Sequence, residues 1–114
     1  MHELSIAQSI LDTVIREVES HKLPQVKKIV VRVGALSGVM PDALQFSFEA
    51  IIPDTALAAS TLEIEQLDVQ GKCQQCEKQF DVENFSFTCP DCHSTKIEVV
   101  RGYELDIAYV EVGD

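Results

Sequence analysis

Apolar positions between Leu4 and His21 recur at helical spacing: Leu4, Ala7, Ile10, Leu11, Val14, Ile15 and Val18. Gln8, Asp12, Arg16, Glu19 and Ser20 occupy the opposite face, which predicts an amphipathic helix with one buried stripe. Ser5 followed by Gln8 has the form of a capping box and places the helix start near residue 5, and Leu23-Pro24 ends it. The period then changes to two. Ile29, Val31 and Val33 alternate with Lys28 and Arg32, as in a strand with one buried face. Pro41 suits the first turn of a short second helix with Leu44 and Phe48 one turn apart, and Phe46 and Phe48 are both expected in the core. Alternation returns over residues 61–69. Lys96–Arg101 and Tyr103–Val112 read as a strand pair hinged at Gly102, with Tyr103, Leu105, Ile107 and Tyr109 on one face and Ala108, Val110 and Val112 on the other.

The pattern predicts an α+β fold: a three-stranded sheet near 27–35, 61–69 and 103–112, backed by two helices. The apolar signal lapses between residues 71 and 99, and all four cysteines fall there, as Cys73-Gln-Gln-Cys76 and Cys89-Pro-Asp-Cys92, twelve residues apart. Two Cys-x-x-Cys pairs joined by a short loop meet the requirement of a tetrahedral Cys₄ site, each pair presenting two sulfurs to one ion. We therefore expect an inserted zinc-ribbon lobe, residues 71–99, in a body made of residues 1–70 and 100–114. Phe80, Val82, Phe85 and Phe87 are too few to form a core there, so the metal should supply much of the lobe's folding free energy. The alternatives are two disulfides and rubredoxin-like iron. No secretory apolar region follows Met1-His2-Glu3, so the expected compartment is the reducing cytoplasm, which argues against disulfides. Four thiolates close the coordination sphere and leave no position for a substrate.

Charge narrows the function classes. Nineteen acidic residues against nine basic give a net charge of −10, which repels phosphate backbones and argues against nucleic acid as the partner of the lobe. No apolar run reaches the ~18 residues of a membrane span. Gly34 and Gly38 flank a turn without a following Gly-Lys-Ser/Thr, so they form no P-loop. No Ser/His/Asp or Cys/His arrangement suggests catalysis. His21 at the end of the first helix reads as a structural cation. His93, directly after the last cysteine, reads as a knuckle residue, with occasional exchange onto zinc as the sharper alternative.

The second locus of chemistry is Met1-His2-Glu3. An α-amine, an imidazole and the intervening amides lie within a few bonds of one another and can form fused chelate rings around a metal that accepts square-planar nitrogen ligands, such as Ni²⁺ or Cu²⁺. By itself, a histidine at position two more often marks an ordinary surface residue.

The opening Met1-His2-Glu3-Leu4-Ser5 and the two Cys-x-x-Cys pairs together resemble the HypA/HybF family of hydrogenase-maturation nickel metallochaperones. Val33-Gly34-Ala35-Leu36-Ser37, Leu44-x-Phe46-x-Phe48, Cys89-Pro90-x-Cys92-His93 and Gly102-Tyr103-Glu104-Leu105-x-Ile107 extend the resemblance over the whole chain. It implies Ni²⁺ held as cargo by Met1, His2 and Glu3: the α-amine of Met1, the imidazole and amide nitrogen of His2, and the amide nitrogen of Glu3, whose carboxylate stays free for other contacts. It implies structural Zn²⁺ on Cys73, Cys76, Cys89 and Cys92. It also implies delivery of nickel, with the GTPase HypB, into the large subunit of [NiFe] hydrogenase, and in some relatives service to urease. The competing readings are a zinc-ribbon protein-interaction module without nickel transfer and a rubredoxin-like electron carrier. The helix and edge strands could support a weak homodimer, though nothing in the sequence demands one.

Overall fold

A computed structural model describes residues 2–113. Helix α1 (Glu3–His21) buries Ala7, Ile10, Leu11 and Val14, the stripe predicted from the spacing. Lys22 closes it in the left-handed conformation (φ 50°), and the Lys22 and Leu23 amides both turn back to the Val18 carbonyl. The start differs from the capping-box expectation. The helix begins at Glu3, with His2 as an extended N-cap (φ −97°, ψ 120°) that makes no side-chain cap bond. The His2 carbonyl accepts the Ile6 amide at 3.2 Å, so Ser5 lies inside the helix. The earlier start adds a turn that a distant residue secures, as described below.

Strand β1 (Gln25–Gly34) is the centre of the first sheet. Helix α2 (Pro41–Ile51) begins with proline in its first turn, where the missing N–H leaves no gap in the ladder. Leu44 and Phe48 are fully buried, but Phe46 is 75% exposed, which corrects the core assignment for that residue. Two positions from either buried neighbour is about 200° around a helix, so Phe46 must face outward. The α2 crossover lets β2 (Thr61–Leu67) lie parallel to β1.

The chain next builds a second sheet from β3 (Gln70–Cys73), β4 (Gln79–Asp81) and β5 (Ile97–Arg101), ordered β4-β3-β5, before β6 (Leu105–Gly113) returns to lie antiparallel on β1. The order of the first sheet is β2-β1-β6, with α1 and α2 packed over its apolar face. This is the three-stranded, two-helix body expected from the sequence. The predicted pairing of 96–101 with 103–112 does not form. β5 pairs antiparallel with β3 instead, and Gly102 (φ 141°) redirects the chain from one sheet to the other.

Strand β6 also breaks the predicted alternation. Val30 pairs with Tyr109 and Val31 with Ile107, leaving Ala108 unpaired as a bulge. Leu105 and Ile107 face the core before the bulge and Val110 after it, while Tyr109 is 53% exposed. The outer face carries charge pairs across the strands: Lys28 to Glu63 and Glu111, and Arg32 in a two-pronged bond to Asp106 at 2.8 and 3.0 Å.

Both crossings between the sheets pass beside Gly34. Its amide donates to the Glu104 carbonyl at 2.8 Å, and the Leu36 amide donates to the Gly102 carbonyl at 2.7 Å. A Cβ on Gly34 would lie 2.1 Å from the Gly102 carbonyl oxygen. The obstacle is backbone, which cannot rotate away as a side chain would. Gly34→Ala is therefore expected to destabilise the protein by about 1–3 kcal/mol. Chemical denaturation measures the loss, and a change below about 0.5 kcal/mol would show that the junction yields freely.

Candidate metal centre

Strand β3 ends at Cys73 and delivers its sulfur into a tight turn. The Cys73 amide donates to the Lys78 carbonyl and the Glu77 amide to the Cys73 carbonyl, each at 2.9 Å. The same turn recurs at the second pair: the Cys89 amide donates to the Ser94 carbonyl at 2.9 Å and the His93 amide to the Cys89 carbonyl at 3.0 Å. Glu77 and His93 occupy equivalent places in the two turns, both left-handed (φ 67° and 62°). His93 thus closes a knuckle as Glu77 does, and its side chain is not among those whose donor atoms converge at the centre.

The sulfurs of Cys73, Cys76, Cys89 and Cys92 lie within 4.8 Å of one another. Cys73 Sγ is 3.5 Å from Cys92 Sγ, and Cys76 Sγ is 3.5 Å from Cys89 Sγ. These contacts cross between the two pairs, and all four cysteines are free thiols rather than disulfides. A tetrahedron with metal–sulfur bonds of ~2.3 Å has edges of about 3.8 Å, so the quartet fits one tetrahedral ion with little movement. The donor set is soft and closed, suited to zinc or to a single iron.

Backbone amides distinguish the four thiols. Cys73 Sγ accepts from the Cys76 and Gln75 amides, both at 3.4 Å. Those bonds, led by the one from Cys76, bring the Cys73 thiol down to about 6. Cys89 is lowered in the same way, chiefly by the Cys92 amide. Cys76 receives a lowering hydrogen bond from the Lys78 amide, but contact with Cys89 and the other sulfurs, together with desolvation, pushes it up to about 12. Cys92 is raised despite the Ser94 amide, through desolvation and the neighbouring Cys73 and Cys89. Cys73 and Cys89 are buried; Cys76 and Cys92 are exposed. Lys78 and Asp91 bridge the two knuckles on the surface at 3.5 Å.

At the far end of the chain's first helix, His2 is exposed and Glu3 is the first helical residue. The Glu3 Oε2 accepts the Met40 backbone amide at 3.2 Å. That bond, more than any other influence, lowers the Glu3 carboxyl below its ordinary value. A depressed carboxyl pKa means the contact is present above the unfolded value and lost as pH falls through the folded one, so it persists at neutral pH. Met1 lies outside the described residues. Sequence reasoning missed Met40, because no local pattern links positions 37 residues apart.

The family model described as "Hydrogenase/urease nickel incorporation, metallochaperone, hypA" matches residues 1–112. The chain belongs to the HypA family. Among its HypA relatives, the hydrogenase maturation factor HypA of Geobacter metallireducens is 38% identical over 112 residues, covering 98% of this chain and 99% of that one. The protein of the same name from Desulfatibacillum aliphaticivorans is 35% identical over 117 residues, covering 100% of this chain and 88% of the other. The solution structure of the Ni metallochaperone HypA from Helicobacter pylori shares the fold at TM-score 0.67 and 21% identity, covering 98% and 97% of the two chains. A second HypA solution structure does so at TM-score 0.74 and 21% identity, covering 98% and 96%. Among the described residues, no helix is long and apolar enough to cross a membrane.

The unequal thiols generate a proton count. Metal uptake by the metal-free protein near pH 7 is expected to release fewer than four protons, because the Cys73 thiol is held down at about 6 while Cys76 is pushed up to about 12. The number should rise as pH falls toward about 6, where Cys73 also takes up a proton. Calorimetry in buffers of different ionisation enthalpy measures it. Release of about four protons near pH 7 would show that the amides do not favour the Cys73 and Cys89 thiolates.

Proposed function

We propose that this HypA-family chain is a nickel carrier without turnover of its own, holding Ni²⁺ at Met1, His2 and Glu3 and structural Zn²⁺ at Cys73, Cys76, Cys89 and Cys92. The observation that carries the reading is the match of residues 1–112 to the nickel-incorporation family. The helix start supports it locally. The Glu3 amide sits in the first turn, where it has no partner in the helical ladder, so its proton can be displaced by a metal without breaking a helical bond. A terminal amine, the His2 amide and the His2 imidazole supply the remaining nitrogens. The closed thiolate set supplies folding free energy to the lobe and offers the cargo no open position. Residues 71–99 form the zinc lobe, and the sheet β2-β1-β6 with its helices forms the nickel-binding body.

Delivery then requires partners: HypB as the GTPase, since no P-loop is present in this chain, and the large subunit of [NiFe] hydrogenase as acceptor. The acidic surface fits protein partners better than nucleic acid. The relatives' name, hydrogenase maturation factor, supports hydrogenase over urease as the destination.

Nickel titration of three proteins decides the site: the native start, one with a single Gly added before Met1, and His2→Ala. Both changes should weaken nickel binding severely and about equally while zinc content and circular dichroism stay constant. Full affinity in the extended protein would remove the amine from the site, and full affinity in His2→Ala would abolish the N-terminal site.

The zinc reading has its own test. Chelation, or Cys76→Ala, should unfold residues 71–99 while hydrogen exchange in β1 and β6 stays slow. Loss of protection throughout would show that the two sheets fold as one unit.

A further inference from the structure

The carboxylate of Glu3 is committed to the Met40 amide, 37 residues away and at the N-cap of α2. That bond fixes the first turn of α1 to the start of α2. It therefore fixes in space the Glu3 amide nitrogen and the His2 carbonyl, which is itself held by the Ile6 amide. Among the described residues, no backbone hydrogen bond restrains the His2 nitrogen in the same way. The His2 ψ of 120° is the torsion between its own nitrogen and the nitrogen of Glu3. A five-membered chelate through both nitrogens needs that torsion near ~0°, so the two are splayed in the structure as it stands. Rotation about the His2 Cα–C bond closes the gap by moving only the His2 nitrogen, its side chain and the residue before it. The helix, the His2 carbonyl and Glu3 need not move.

Resting on the nickel reading above, we propose that Glu3 is the positioning residue of the nickel arm: its carboxylate anchors the Glu3 amide nitrogen against α2, and one backbone rotation at His2 completes the chelate around it. The carboxylate does not join the metal. On loading, the displaced amide protons pass to solvent, and the nitrogens coordinate as anions beside the positive end of the α1 dipole, which favours them. Met40 takes part through its backbone alone, which is why its side chain can be 66% exposed without bearing on the contact.

Two deletions remove the same bond from opposite sides. Glu3→Ala removes the acceptor; Met40→Pro removes the donor at a position whose φ of −87° lies close to proline's range. Each should weaken Ni²⁺ binding about tenfold, the scale of one hydrogen bond to a charged group. Glu3→Gln keeps an acceptor oxygen and should bind within about threefold of the native protein. In the native protein the Met40 amide should stay protected from exchange when nickel is added. Equal weakening in Glu3→Gln and Glu3→Ala would overturn the proposal, as would loss of Met40 protection on loading, which would mean that the carboxylate had moved to the metal. Nickel binding that survives His2→Ala would overturn the N-terminal site and this proposal with it. Loss in His2→Ala together with indifference to Glu3→Ala would overturn the proposal alone.

Discussion

The close approach of Gly34 to Gly102 is the contact on which the two-lobed architecture depends. The chain leaves the first sheet after β2 and re-enters it at β6, so both strands of the crossing must pass one narrow place. There the Ala35 amide reaches the Leu67 carbonyl at 3.0 Å on one side, while the Gly34 and Leu36 amides reach Glu104 and Gly102 on the other. The Arg101 guanidinium closes the two crossing segments together on the Asp68 carbonyl at 3.0 Å. Any residue with a side chain at position 34 would drive these segments apart. Backbone bonds that join two sheets at their neck set the direction in which the second sheet leaves the first, and the molecule is accordingly long, 54 × 25 × 17 Å.

In the function proposed above, that neck separates two metal-binding chemistries of opposite kind. The cysteine quartet is internally hydrogen-bonded and closed, with its amides already aimed at Cys73 and Cys89. Every ligand of such a site is held by a turn that a bound ion would itself stabilise. The proposed N-terminal site is anchored through Glu3 and would offer nitrogens that must lose protons to bind. A carrier needs the second kind of site for its cargo and is served by the first kind for its structure. Joining both in 114 residues would be feasible because a lobe built around a metal needs so little apolar core.

Most of the fold is written in local periodicity. The α1 stripe, the alternation of β1 and the Pro41 start of α2 each follow from residues within a turn or two of one another, and the cysteine spacing alone implies a convergent quartet. What was not legible depends on distant partners. The bulge at Ala108 arises from register against β1, which no alternation within β6 announces. Val99 and Arg101 pair with β3 rather than with the adjacent β6, because the second sheet needs an edge that the cysteine knuckles bring near. Ser5 has the sequence of a cap, yet the Met40 amide makes an earlier start favourable by donating to the Glu3 carboxylate. Phe46 was misplaced for a different reason: two aromatics at i and i+2 cannot share one face of a helix, and the pattern had already committed the face to Leu44 and Phe48.

Anchoring bears on selectivity as well as affinity. A nitrogen-rich site binds Cu²⁺ more tightly than Ni²⁺ whatever protein carries it, so the proposed N-terminal site would not select Ni²⁺ by ligand type. Geometry offers only modest help, since both ions accept a square plane. Selection must then come from what reaches the arm and from what removes the ion. Removal is where the one-sided anchor matters. A partner that grips the terminal residues can reverse the single rotation at His2 and open the chelate without disturbing α1, whose ladder begins beyond it. A site buried in the helix would release its ion only by partial unfolding. A nickel site placed, as proposed, at the start of a helix fixed by Glu3 would therefore favour handing the ion on over keeping it.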